Sequence, residues 1–308
     1  MEISFSIIIP LYNKAPYIER AVKSVLSQDY PHFEIIIVND GSSDGDEKIV
    51  TTIVDERLKL VSQKNAGVSA ARNTGAKEAQ YEYLAFLDGD DTWEPNFLSE
   101  LVKLIDNFPN AGIYGTSNSF IYPNGKKVAE DFRYLFNGKE QGLLEDYFGL
   151  FAQIQKSPFS NSNLCIPKKI YQEFGGYKVG VKLTEDSDLW CRIALKYDVA
   201  FSVNALANYF VALEGSTHTI FENKDFEVVN TLQSALDNKN VPQRLEKSVK
   251  KLIALQKLGL IKRGILTSNK GKILKNFLNI SILKYYTFEY IKCVLAFLLP
   301  HSVFQKIK

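Results

Sequence analysis

The chain has 308 residues, 45% of them hydrophobic and 23% charged, with three cysteines. That composition belongs to a folded protein of one or two domains and excludes collagen-like, low-complexity and disulfide-stapled scaffolds. The net charge of +2 hides an asymmetry: from Arg244 to Lys308 there are 14 Lys and Arg against two Glu, a charge of +12, which leaves −10 on the first 243 residues.

Residues 6–10 (SIIIP) are apolar and β-branched, the pattern of a strand buried on both faces. Residues 17–28 place Ile18, Ala21, Val22, Val25 and Leu26 at helical spacing. A second buried strand, 34–38 (EIIIV), ends at Asn39-Asp40-Gly41, and a helix over 46–56 and a short strand over 58–61 follow. Residues 68–79 are Ala-rich and helical; 83–87 (YLAFL) form a third strong strand, ending at Asp88-Gly89-Asp90-Asp91. A helix over 96–106 and a strand over 113–117 complete the first half.

Strands separated by helices imply crossover connections and a mostly parallel sheet, with ligands at the carboxyl ends of the strands. Three such ends carry Pro10-Leu11-Tyr12-Asn13, Asn39-Asp40 and Asp88-Gly89-Asp90-Asp91, so polar residues collect on one rim.

Beyond Pro123 the pattern weakens. Residues 123–142 read as loop, 143–154 as an aromatic-rich helix and 163–166 as a strand. Gly175-Gly176 is a sharp break; Glu185-Asp186 reads as loop, and a helix over 188–197 begins with Asp188 as its cap. Residues 200–212 supply one or two strands, and the chain from 225 onward is almost purely helical.

Three carboxylates within four residues repel one another unless a cation or hydrogen-bond donors compensate. Asp88, Asp90 and Asp91 therefore form either a solvated turn or an oxygen site for a hard divalent ion such as Mg²⁺ or Mn²⁺. The buried strand before them and the neighbouring rim motifs favour the ion. Asp40 is a turn residue or a carboxylate for a nucleotide's base or ribose, and Ser42 or Ser43 can cap the next helix. Glu185 and Asp186 can act on an acceptor hydroxyl if they reach it. The small-residue helix start from Gly67 to Gly75 suits a close-approaching anion, where Arg72 pairs a diphosphate or makes a structural salt bridge. His218, one of three scattered histidines, is a minor metal or phosphate candidate.

Cys165, Cys191 and Cys293 have no CxxC spacing, which argues against zinc and for a reducing compartment. No basic-then-apolar leader opens the chain, and the tail has no 18-residue apolar run. Residues 245–264, 271–283 and 285–299 combine lysines, apolar residues and aromatics, which suits either an anionic membrane surface or a helical subdomain with a basic face. A nucleic-acid-binding role is the rival for a basic tail; no helix-turn-helix or RNA-binding motif supports it, and the acidic body would repel phosphates.

Five ordered stretches, SIIIPLYNKAPYIERAVKSVLSQ, FEIIIVNDGSSDGD, NAGVSAARNTGA, YLAFLDGDDTWEP and GGYKVGVKLTEDSDLWCRI, resemble the family 2 glycosyltransferases with the GT-A fold. The resemblance covers residue 5 to about 195. It implies a Rossmann-like α/β catalytic domain over 1–224; the helical, basic extension over 225–308, read from charge and spacing, lies outside it. It also implies an inverting hexosyl- or N-acetylhexosaminyltransferase that uses a nucleotide-sugar donor, UDP-linked first of all, and Mn²⁺ or Mg²⁺. By that resemblance Pro10, Tyr12 and Asn13 line the nucleoside pocket, Asp40 contacts the base, and Arg72 lies near base and diphosphate. Asp88 and Asp90 meet ribose and, through the metal, the diphosphate; Asp186 is the catalytic base with Glu185 beside it. Asn39 stands where many relatives have aspartate, and the Gln-x-x-Arg-Trp motif of processive synthases is missing. The implied acceptor is a glycan or polyprenyl-diphosphate-linked glycan of O-antigen or capsule type, handled in the cytoplasm or at the cytoplasmic face of the inner membrane. A homo-oligomer through the aromatic tail is compatible with that reading, and a non-catalytic nucleotide-sugar-binding protein is its alternative.

Overall fold

A computed structural model describes residues 2–181, 183–211, 226–266 and 280–298. Two compact units divide them: one holds residues 2–145, 158–181 and 192–211, the other 146–157, 183–191, 226–266 and 280–298.

The first unit is built on one sheet. Its strands are β1 (Phe5–Leu11), β2 (Phe33–Asn39), β3 (Leu58–Ser62), β4 (Tyr83–Phe86), β5 (Thr92–Trp93), β6 (Ile113–Ile121), β7 (Lys127–Ala129), β8 (Gln141–Leu143), β9 (Leu164–Pro167) and β10 (Val199–Phe210). The order is β3-β2-β1-β4-β9-β6-β10-β5, with β7 beside β6 and β8 beside β10. Helices α1 (Ile18–Leu26), α2 (Asp46–Thr51), α3 (Val68–Glu78), α4 (Phe97–Asn107) and α6 (Lys168–Glu173) accompany it.

The apolar runs become the centre of the sheet. Every residue of β2 is buried, and all of β1 except Pro10, because helices cover both faces. Pro10 stands past the last β1–β4 pair, Ile8 with Phe86, on the side where its missing N–H leaves no ladder bond unmade. Gly75 of α3 lies so close to β1 that an added Cβ would stand 2.4 Å from Ile8 Cγ2.

The expected mostly parallel sheet is parallel only in part. β3, β2, β1 and β4 run parallel, as do β6 and β10. β9 enters between β4 and β6 antiparallel to both, and β5, β7 and β8 are antiparallel additions. The stretch expected as loop over 123–142 supplies β7, a 3₁₀ turn at Arg133–Phe136 and the start of β8. These strands are three residues long, too short to show an alternating pattern. Helix α2 stops at Thr51 rather than residue 56, with the Thr51 and Thr52 hydroxyls bonded back to the carbonyls of Lys48 and Ile49.

The second unit is helical among the described residues: α5 (Tyr147–Ile154), the first seven residues of α7 (Glu185–Ala194), α8 (Glu227–Asp237), α9 (Glu246–Leu266) and α10 (Ile280–Leu298). Asp146 caps α5 through the Gly149 N–H (2.8 Å). Ala254, Leu258 and Ile261 of α9 pack with Ile282 and Cys293 of α10, which is kinked at Tyr286. No described helix is long and apolar enough to cross a membrane.

Candidate active site

The rim predicted from sequence forms at the tips of β1, β2 and β4, which are neighbours in the sheet. Its loops are tied together by short polar side chains. Asn13, at φ 52°, donates its N–H to Ser42 Oγ (3.1 Å) and accepts from the Ser43 N–H (2.9 Å). Ala15 N–H donates to Asp44 (2.8 Å), and Lys14 N–H to Asp46 Oδ2 (3.0 Å). Ser42 therefore bridges loops instead of capping α2, whose N-cap is Gly45 at φ 88°. Burial pushes the Asp46 carboxyl up, against the hydrogen bonds from Lys14 and Ser42 that pull it down. Tyr12 projects from this rim, 49% exposed, and Pro10 is half-buried below it.

Asp40 is buried at the end of β2. Its Oδ1 accepts from Gln63 Nε2 (2.7 Å) and the Ala66 N–H (2.9 Å), and its Oδ2 from the Gly67 N–H (2.8 Å). This carboxylate holds the β3–α3 loop in place, so Gly67 starts α3 beside it. Arg72, one turn into α3, sends Nη2 to Asp88 Oδ1 (2.7 Å) and is only 4% exposed. The structural salt bridge expected of Arg72 is present, and it lies on the rim. Asn161, with its amide oriented to satisfy its neighbours, places its oxygen 3.1 Å from Arg72 Nη2 and its nitrogen 2.5 Å from the Tyr177 hydroxyl.

The acidic turn after β4 is fixed from three sides. Lys14 Nζ meets Asp90 Oδ2 at 2.5 Å, and Arg20 Nη2 donates to the Asp90 carbonyl at 2.6 Å. The Arg20 guanidinium stacks over Phe210, 3.5 Å from the ring centre. Asp91 turns inward, where Ser162 Oγ meets its Oδ2 (2.5 Å) and the Phe210 N–H meets its Oδ1 (3.2 Å). Burial pushes the Asp91 carboxyl well above the ordinary carboxylate range, and the Asp88 and Asp90 charges add to it. The Ser162 hydroxyl also accepts the Asp88 N–H (3.1 Å), so one serine joins both ends of the turn.

These contacts test a divalent ion on chemical grounds. Among the described residues, no three His, Cys, Asp or Glu side chains converge as an all-protein metal cage. Mg²⁺ is ordinarily held by one or two carboxylates with phosphates completing its shell. Asp88 and Asp90 fit that pattern, each giving only one oxygen to a cation; Asp91 does not, since both its oxygens are engaged. His218 lies outside the described residues.

Glu185 and Asp186 belong to the second unit. The expected loop before residue 188 is instead the first turn of α7, following Thr184 at φ 62°. Three acidic side chains, Glu185, Asp186 and Asp188, suit the positive end of a helix. Asp188 is not the cap; it is buried and accepts the Thr231 hydroxyl of α8. Burial pushes the Tyr147 phenol well above its ordinary value, with the Asp186 charge among the groups that add to it.

Residues 6–163 match the model of glycosyl transferase family 2. The chain belongs to this family. An uncharacterized glycosyltransferase of Rickettsia conorii is 30% identical over 229 residues, 73% of this chain and 37% of that protein. TuaG of Bacillus subtilis, named for teichuronic acid biosynthesis, is 43% identical over 103 residues, 32% of this chain and 41% of its own length. The chain thus spans well under half of both relatives. Among solved structures, Staphylococcus aureus TarS 1–349 in complex with UDP-GlcNAc has a TM-score of 0.71 at 19% identity, covering 99% of this chain and 91% of that one. The same protein with UDP has a TM-score of 0.58. At that identity the likeness establishes the GT-A fold, and the family membership comes from the sequence match.

The family motifs bring Pro10, Tyr12, Asn13, Asp40, Asp88 and Asp90 to the strand tips of one unit, and Arg72 reaches Asp88 from α3. Sequence reasoning missed Lys14, Arg20 and Ser162, which hold the acidic turn, and Asn161, which meets Arg72. Lys14 and Arg20 sit inside the first motif, where a basic residue facing the β1 tip was a usable signal. Asn161 and Ser162 gave none, because nothing in the sequence places β9 beside β4.

Proposed function

We propose that the protein transfers a sugar from a nucleoside-diphosphate donor, a UDP-sugar first of all, to a hydroxyl of a glycan or lipid-linked glycan, with inversion at the anomeric carbon. The product is cell-surface polysaccharide. The observation that carries this reading is the meeting of Asp40, the Arg72–Asp88 pair and Asp90 at adjacent strand tips in a family 2 fold. TarS, which shares the fold, has been solved with UDP-GlcNAc and with UDP, and this supports a uridine nucleotide as donor.

In this reading Tyr12 offers an exposed ring to the nucleoside, and Asp40, already anchored by two backbone amides, orients the base. Arg72 places positive charge beside the diphosphate. Asp88 and Asp90 hold a divalent ion, Mn²⁺ or Mg²⁺, which when bound supplies charge to neutralise the leaving diphosphate. Asp186, with Glu185 beside it, takes the proton of the acceptor hydroxyl, help that is typically worth about 10²–10⁴-fold. A lipid-linked acceptor suits the basic tail, and α10 exposes Leu283, Phe288 and Ile291 with Lys284 and Lys292 on the same helix.

The test is a screen of nucleotide sugars for thermal stabilisation with Mn²⁺ present, since a bound donor raises stability by mass action. A UDP-sugar should raise Tm most. No stabilisation by any nucleotide sugar or nucleoside diphosphate overturns the donor reading. Asp186→Asn should then keep donor binding by calorimetry and lose transfer; lost donor binding removes Asp186 as the base.

A further inference from the structure

Lys14 is placed with unusual care for a lysine in a loop. Asn13 turns the chain at φ 52°, and the Lys14 N–H is pinned to the buried Asp46 carboxylate (3.0 Å). The Lys14 side chain crosses from the tip of β1 to the tip of β4. Its Cβ lies 3.7 Å from where a Cβ on Gly89 would stand, so the side chain runs alongside the glycine between the two aspartates. Its Nζ ends 2.5 Å from Asp90 Oδ2, with the two side chains only 17% and 18% exposed. Arg20 donates to the Asp90 carbonyl and acts on the carboxylate by its charge alone, so the direct ion pair is with Lys14.

A carboxylate this sheltered needs a counter-ion, and two cations on it repel each other. We infer that the Lys14 ammonium is the resident counter-ion of Asp90, and that it and a divalent cation are alternative occupants of that carboxylate. The inference rests on the donor-site reading above. It makes metal uptake an exchange, in which the ion displaces an ammonium on a flexible four-carbon stem. The released ammonium is then a mobile positive charge on the rim where the donor's diphosphate is expected. Coupling the two events keeps the acidic turn neutralised both before and after the metal arrives.

The test is Mn²⁺ binding to the nucleotide-free protein at low salt, read from the electron paramagnetic resonance signal of free Mn²⁺. The proteins compared are wild type, Lys14→Met and Lys14→Arg. Removing a unit charge a few ångströms from the metal position should tighten Mn²⁺ binding by about tenfold or more in Lys14→Met. Lys14→Arg, which keeps the charge, should stay near wild type and controls for folding and packing. Equal or weaker Mn²⁺ binding by a folded Lys14→Met overturns the inference; if both proteins still bind Mn²⁺ with UDP, the donor site stands. No Mn²⁺ binding by either, with or without UDP, overturns the metal site and this inference together, while UDP binding in EDTA still reports on the donor site by itself.

Discussion

Arg72 and Asp88 join helix α3 to the tip of strand β4 across 2.7 Å, the guanidinium almost wholly buried and the carboxylate about one-third exposed. One partner comes from the small-residue helix that packs on β1, the other from the acidic turn. Neither position is set by its own loop.

That geometry predicts the behaviour of Arg72→Lys. A lysine keeps the charge but is a point donor, and cannot reach Asp88 and Asn161 with a planar fork. Charge-assisted hydrogen bonds are worth about 1.5–3 kcal/mol each. UDP affinity by calorimetry should fall about tenfold or more, and Arg72→Ala should fall further and lose stability as well. Wild-type UDP affinity in Arg72→Lys would show that Arg72 only braces the turn.

Helix α3 depends on Gly75. An alanine there gains about 1 kcal/mol of helix propensity. Its Cβ would stand 2.4 Å from Ile8 Cγ2 and 3.2 Å from Ile8 Cγ1 in the central strand. Overpacking of this kind costs about 1–3 kcal/mol, and a 2.4 Å approach belongs at the upper end. Gly75→Ala should therefore lower Tm, and it should weaken UDP binding because the shifted helix carries Arg72. The companion Ile8→Ala in the same chain removes both Cγ atoms and should restore part of the UDP binding, while its own cavity keeps Tm low.

The strand tips were readable from sequence because each follows a run buried on both faces, and such runs end where the chain meets water. Asp40 and Asp88 could be placed on one rim for that reason alone. The partners of those residues could not. Lys14 and Asp90 are 76 residues apart, and their pairing depends on β1 and β4 being neighbours. Ser162 reaches the turn only because β9 enters the sheet antiparallel between β4 and β6, an insertion without a periodic signal. The first turn of α7 read as loop because Glu185, Asp186 and Asp188 have no apolar stripe; their fitness lies in the helix dipole.

Glu100 predicts an acid limit to stability. It is buried on α4, and burial by itself would push its carboxyl up. Hydrogen bonds from Ser202 (2.5 Å), Gln141 (2.9 Å), Asn204 (3.1 Å) and Lys103 (3.3 Å) overrule burial and hold it below the usual glutamate range. A lowered folded value means the unfolded chain binds the proton more readily, so this stability is present above the unfolded value of about 4.3 and is lost as pH falls through the folded one. Glu100→Gln should lower stability at pH 7 by about 1–3 kcal/mol, because the amide cannot accept the same set of donors. The gap between variant and wild type, followed by denaturant unfolding at stepped pH, should close as pH falls below about 4. A gap that stays constant to pH 3 would mean the loss is one of packing.

Ser162 offers the sharpest separation of binding from positioning. Its hydroxyl meets Asp91 Oδ2 and accepts the Asp88 N–H, and its carbonyl accepts the Trp93 indole N–H (2.5 Å). Ser162→Ala keeps the carbonyl bond and removes the other two. The Asp91 carboxyl then loses a hydrogen bond that pulls its proton affinity down, while burial and the charges of Asp88 and Asp90 continue to push it up. The turn bearing Asp88 and Asp90 should loosen without losing a ligand. Loss of one satisfied buried polar partner costs about 1–3 kcal/mol, so the protein should stay folded with a lower Tm. In steady-state transfer, a misplaced turn should reduce kcat more than it raises KM for the donor, because positioning matters most as the diphosphate leaves. Ser162→Thr, which keeps the hydroxyl, should recover most of kcat. A KM effect alone, unrelieved by threonine, would make Ser162 a structural residue of the β9 junction and nothing more.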